Sequence, residues 1–200
     1  MASAVLINLL KKQRDAVGLS VYSDTYEYYA PEKGSDRHHR MILNKLEDLL
    51  ENPKQAKSTD TVTYLHQIAE KMHRRSMIIL FTDMFDPTAN DGKTEALFNA
   101  LQHLKHDKHR VVVFHVIDKQ TEINFNFDNA PRKFIDLETG EQINIFADSI
   151  KEAYEEKVAA YFKSLALTCA QNKIKYVPVS VREDFEKIIL TYLTEKHSFG

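Results

Sequence analysis

Eight oxygen-bearing side chains fall in short stretches between apolar runs: Ser23, Asp24, Thr59, Asp60, Thr82, Asp83, Asp86 and Asp118. Hard oxygen ligands drawn from separate loops are what Mg2+ or Ca2+ requires, and Mg2+ keeps waters beside a few protein oxygens. Asp, Ser and Thr also favour caps and turns through local hydrogen bonds, so each residue alone has a plainer reading. Asp83 and Asp86 follow an apolar run, as a phosphate-accepting aspartate would. Their spacing is three rather than two, and no lysine-bearing partner motif accompanies them.

Other chemistries fit less well. His103, His106 and His109 recur at spacing three, which places neighbours on one face of a helix. The lysines among them repel a cation, and the dipole at a helix C-terminus favours such cations without any metal. The His73-Arg74-Arg75 cluster has the same dipole explanation. His38, His39, His66 and His73 read as surface residues, and His115, inside Val-Val-Val-Phe-His-Val, as a satisfied core histidine. Cys169 lies on an apolar helical stripe and reads as a small hydrophobe. The chain has no glycine-rich phosphate loop and no Gly-x-Ser-x-Gly elbow. Tyr26, Tyr28 and Tyr29, near Lys33 and Arg37, make a candidate aromatic face for protein contact.

The chain has 200 residues, with 27 Lys and Arg against 29 Asp and Glu, a net charge of −2. That balance argues against a nucleic-acid module built on bulk positive charge, though a local basic patch stays open. One cysteine excludes an intrachain disulfide and a Cys-rich zinc site. No apolar run approaches the roughly 18 residues that a membrane span needs. At the N-terminus, Lys11, Lys12 and Arg14 follow the apolar stretch instead of preceding it, the wrong order for a signal peptide.

The elements that must position these residues come from hydrophobic period. Val17–Ser23, Met77–Phe81, Val111–Val116 and Tyr176–Val179 read as buried parallel strands, with Tyr26–Ala30 antiparallel at an edge and closed by Pro31. Ser35 caps a helix that Asn52-Pro53 stops, and further helices cover Met1–Lys12, about 60–74, the stripe Ala96 to Leu104, about 148–169, and Phe185–Leu193. Residues 119–147 read as a β insertion, with a hairpin around Glu138-Thr139-Gly140-Glu141. Strands alternating with helices predict a three-layer α/β domain over residues 1–200: one mostly parallel, Rossmann-like sheet with helices on both faces. Ligands of such sheets sit at the carboxyl ends of the strands.

Four blocks carry a family resemblance. Gln13 to Leu19, Tyr64 to Asp86, Phe134 to Glu141, and the closing segment with Ala153-Tyr154, Cys169 and Ile174 to Val177 occur in the order of the family called domain of unknown function 58. That family resembles a von Willebrand factor A-type domain. The resemblance implies a metal-ion-dependent adhesion site, with Thr59 and Asp83 as ligands to Mg2+ and Ser23, Asp24, Asp60 and Asp86 as edge contributors. It also implies a bacterial, cytoplasmic interaction module that works with MoxR-type AAA+ ATPases in assembly or chaperone-like tasks, with the partner's acidic residue finishing the metal site.

The family's first strand, which ends in Asp-x-Ser-x-Ser, is not found, so the expectation is an N-terminally incomplete domain with a weak site. Val17–Ser23 and Met77–Phe81 would flank that strand; they are expected to pair directly or to drive self-association. Two alternatives stand beside the interaction module: a metal-dependent hydrolase using Asp83 and Asp86, and a truncated structural remnant.

Overall fold

In a computed structural model of the chain, the structure describes residues 1–22, 26–53, 61–73, 75–83, 91–105, 108–119, 123, 131–135, 142–181 and 185–197. The elements run α1 (Ala2–Lys12), β1 (Val17–Tyr22), β2 (Tyr26–Lys33), α2 (Asp36–Glu51), α3 (Thr61–Lys71), β3 (Met77–Thr82), α4 (Asp91–Lys105), β4 (Arg110–Ile117), β5 (Pro131–Ile135), β6 (Gln142–Phe146), α5 (Ala147–Gln171), β7 (Lys175–Ser180) and α6 (Phe185–His197). The chain divides into two compact units, Met1–Met72 with Phe185–Gly200, and His73–Asp184. Among the described residues no helix is long and apolar enough to cross a membrane.

The first unit is built on the antiparallel ribbon β1–β2. Leu19 opposes Ala30 and Val21 opposes Tyr28 on one face, where Ile7, Val17, Ala30 and Ile42 form a core joined by Leu10, Leu19, Leu43 and Leu46. Tyr22 stacks on Tyr64 of α3 at 5.8 Å, and the Lys71 ammonium lies 5.4 Å from the Tyr29 ring. The ribbon is thus a layer between α1–α2 and α3. Gly18 is required by close approach: a Cβ there would sit 2.9 Å from the Ala30 carbonyl oxygen. β2 runs through Pro31 rather than stopping at it. Proline is tolerated at an edge or beside an irregularity, and the register shifts between Val17 and Leu19.

Ser35 caps α2 as expected, its hydroxyl accepting from the His38 N–H at 3.3 Å. His38 and His39 are not surface residues: they are 6% and 1% exposed. The first turn of α2 packs towards β1, so both rings are enclosed. The His38 Nε2–H donates to the Val17 carbonyl and the His39 Nδ1–H to the Ser35 carbonyl, each at 2.9 Å.

The second unit holds a three-stranded parallel sheet in the order β3-β4-β7, with Met77 opposite Arg110, Thr82 opposite His115, and His115 opposite Pro178. Val111, Val112, Val113, Phe114 and His115 are all at most 1% exposed, the mark of a strand covered on both faces. Phe162 of α5 stacks on His115. The expected hairpin forms as the antiparallel pair β5–β6, inside residues 119–147.

The expectation of four parallel strands in one sheet is corrected. Among the described residues β1 pairs with β2 in a two-stranded sheet, and the parallel sheet has three strands, β3, β4 and β7. Apolar periodicity reports that a strand is buried; it does not report which strand lies beside it.

Helix-to-strand turns share one device. Arg14, Arg75, Lys108 and Lys173 adopt positive φ of 61°, 60°, 63° and 54°, each two or three residues before β1, β3, β4 and β7. At the end of α1 the Asp15 N–H donates to the Leu10 carbonyl at 3.0 Å, and at the end of α5 the Ile174 N–H donates to the Cys169 carbonyl at 2.9 Å. These six-to-one bonds are Schellman caps, whose left-handed position usually belongs to glycine. Here a basic residue holds it.

Candidate functional site

The carboxyl edge of β3-β4-β7 brings Thr82, Asp83, His115 and Asp118 to one end of the sheet. Thr82 ends β3 and is 8% exposed, while Asp83, the next residue, is exposed. Asp118 lies one residue past β4 and is half-buried. The Val181 N–H donates to the Ile117 carbonyl at 3.1 Å, which carries the β4–β7 pairing to this edge.

Beneath Asp83 lies a buried polar group. His115 is fully buried, stacks on Phe162 at 4.9 Å with the planes at 24°, and has Nδ1 2.6 Å from the Tyr176 hydroxyl oxygen. Its Nε2 is buried and, among the described residues, makes no hydrogen bond of standard geometry, with the Asp83 backbone and carboxylate beside the ring. Burial outweighs the pull of Asp83 and lowers the imidazole to about 4. Burial raises the Tyr176 hydroxyl well above its ordinary value, helped by Cys169 and Tyr161. It also pushes the Cys169 thiol up to about 11.

The three groups are therefore neutral at neutral pH. A protonated phenol donates to Nδ1, which leaves the proton of the ring on Nε2, facing Asp83. Cys169, buried and protonated, lacks the thiolate that a nucleophile needs.

Of the residues expected at a metal edge, Asp83 is described: it follows β3 directly and is exposed. Thr59, Ser23, Asp24, Asp60 and Asp86 lie outside the described residues. His109 differs from expectation: it is not on the helix with His103 but follows it, 3% exposed, and its Nδ1 accepts from the Ser76 N–H at 3.1 Å. It ties the start of β3 to the start of β4. Sequence reasoning missed the Tyr176 hydroxyl as the partner of His115. The signal was available in a polar-tipped residue in each of two buried apolar strands.

Comparison with curated proteins and with solved structures found no match. A family model described as protein of unknown function DUF58 matches residues 1–163, most of the chain. The chain belongs to the DUF58 family.

Proposed function

We propose that this chain is a non-enzymatic interaction module of the von Willebrand factor A type that works with a MoxR-type AAA+ ATPase. The observation that supports this most is the position of Asp83: an exposed carboxylate directly after a buried strand, at the carboxyl edge of a parallel sheet. That is where open α/β folds present ligand-binding groups. The reading assigns Thr59 and Asp83 as the residues that would hold Mg2+, with Ser23, Asp24, Asp60 and Asp86 around them.

A carboxylate oxygen is a hard donor, so the chemistry of Asp83 suits Mg2+. When bound, the ion supplies a positive charge that an acidic residue of the partner completes. The buried neutral His115 and Tyr176 add no competing charge there. The same reading includes self-association, because among the described residues β3 is paired on one side only.

The test is calorimetric titration of Mg2+ and Mn2+ into the protein alone and with the ATPase. Little heat is expected without the partner, and a cation-dependent signal with it that Asp83→Ala removes. Tight cation binding that survives Asp83→Ala would place the site elsewhere.

A further inference from the structure

The amino-terminal edge of the same sheet, opposite Asp83, carries a different chemistry. Three segments of the sequence run into β3, β4 and β7: residues 73–76, 105–110 and 171–175. They contain seven Lys and Arg (Arg74, Arg75, Lys105, Lys108, Arg110, Lys173, Lys175) and one acid, Asp107, in a chain whose net charge is −2. In sequence these segments are far apart. The strand order β3-β4-β7 makes them neighbours.

Met77 opposes Arg110 and Val112 opposes Lys175, so Arg75 and Lys108 lie level and Lys173 lies within two residues of them. With strands about 4.8 Å apart, the row spans roughly 10 Å. Arg74 and Asp107 are outside the described residues. Arg75, Lys108 and Lys173 are exposed.

The segments are also stitched together. The Arg110 N–H donates to the Ser76 carbonyl at 3.0 Å, the Ser76 N–H to His109 Nδ1 at 3.1 Å, and the Gln102 amide to the Asn172 side-chain oxygen at 3.0 Å. The basic row is carried on a fixed frame.

Helix dipoles explain a cation near a helix end. They do not by themselves explain three exposed cations, Arg75, Lys108 and Lys173, side by side at one sheet edge. Each holds a left-handed backbone position, at φ of 60°, 63° and 54°, as Arg14 does before β1. Glycine suits such a position, so the charge can be removed there without straining the turn.

We propose that this edge is a docking surface for an acidic peptide segment of a partner protein. Its length matches three or four residues of extended chain at about 3.3 Å each. No aromatic side chain stands in the three segments to stack on a base, which disfavours single-stranded nucleic acid. The proposal is independent of the cation reading, since Asp83 is at the other end of the strands.

The test measures binding of fluorescein-labelled octaglutamate to the full chain by fluorescence anisotropy, with oligothymidylate and phosphatidylserine vesicles as parallel probes. Octaglutamate should bind at about 50 mM salt and weaken about tenfold by about 300 mM. The triple variant Arg75→Gly, Lys108→Gly, Lys173→Gly should lose about tenfold or more in affinity with no fall in melting temperature, because glycine suits those backbone angles. A control pair on α5, Lys157→Ala and Lys163→Ala, should bind like the parent.

If the triple variant does not fold, Lys108→Asn with Lys173→Asn carries the test, as asparagine tolerates the same conformation. Equal binding by the folded charge-removing variant overturns the proposal. So do tighter binding of oligothymidylate or vesicles than of octaglutamate, and no binding of octaglutamate at low salt.

Discussion

The Tyr176 hydroxyl and His115 Nδ1 lie 2.6 Å apart and 61 positions apart in the chain, joining β7 to β4 inside the parallel sheet. The bond satisfies two polar tips that the apolar strands would otherwise bury unpaired. Tyr176→Phe keeps the ring and removes the donor, leaving Nδ1 unsatisfied in the core. A loss of about 1–3 kcal/mol of unfolding free energy is expected. Urea unfolding of the two proteins at pH 7 measures it, and a change within error would show that the bond contributes nothing.

The same burial gives His115 a pH signature. Its folded value is lowered to about 4 from the ordinary 6.5. Above about pH 6.5 the ring is neutral in both states. Between 6.5 and 4 the unfolded chain binds a proton that the folded chain does not, so stability falls as pH drops through that window, by roughly 3 kcal/mol in all. Below about 4 the contribution stops changing. His115→Phe should therefore lose less stability than the parent between about pH 7 and pH 4.5 in urea unfolding. Parallel curves for the two proteins would contradict the assignment.

Cys169 is fully buried with its thiol pushed up to about 11. Alkylation by iodoacetamide at about pH 8 should be far slower in the folded protein than in urea, where the thiol returns to its ordinary value. Equal rates would mean that the α5–β7 packing opens readily.

Much of the architecture is legible in the sequence. Four apolar runs gave β1, β3, β4 and β7, Ser35 gave the start of α2, and Glu138 to Glu141 gave the gap between β5 and β6. Strand neighbours were not legible, because β1 is buried equally well by β2 and its own helices as by a larger sheet. Histidines misled for a related reason. His38 and His39 look like surface residues, and His109 like one more cation at a helix end, until backbone partners at Val17, Ser35 and Ser76 are in reach. The position of Asp83 at the end of β3 was legible from the apolar run before it. The buried support beneath it, contributed by β4 and β7, was not.

The left-handed turns make a stability prediction of their own. Lys173 closes α5 at φ 54° with the Ile174 N–H on the Cys169 carbonyl. Lys173→Gly removes a side chain that disfavours this conformation and keeps the cap bonds, so unfolding free energy should rise by about 0.5–1 kcal/mol. Thermal unfolding reads it, and a fall would show that the lysine side chain supports the fold directly.

The central claim is that the Asp83 edge contacts a protein partner through a cation. Its most direct measurement is the affinity of a purified MoxR-type AAA+ ATPase for the parent chain and for Asp83→Ala, with Mg2+ and with EDTA, by biolayer interferometry. The account predicts binding that weakens about tenfold or more both in EDTA and in Asp83→Ala, with octaglutamate binding at the opposite edge unchanged. Equal affinity of the two proteins in Mg2+, or no binding of the ATPase to either, would contradict it.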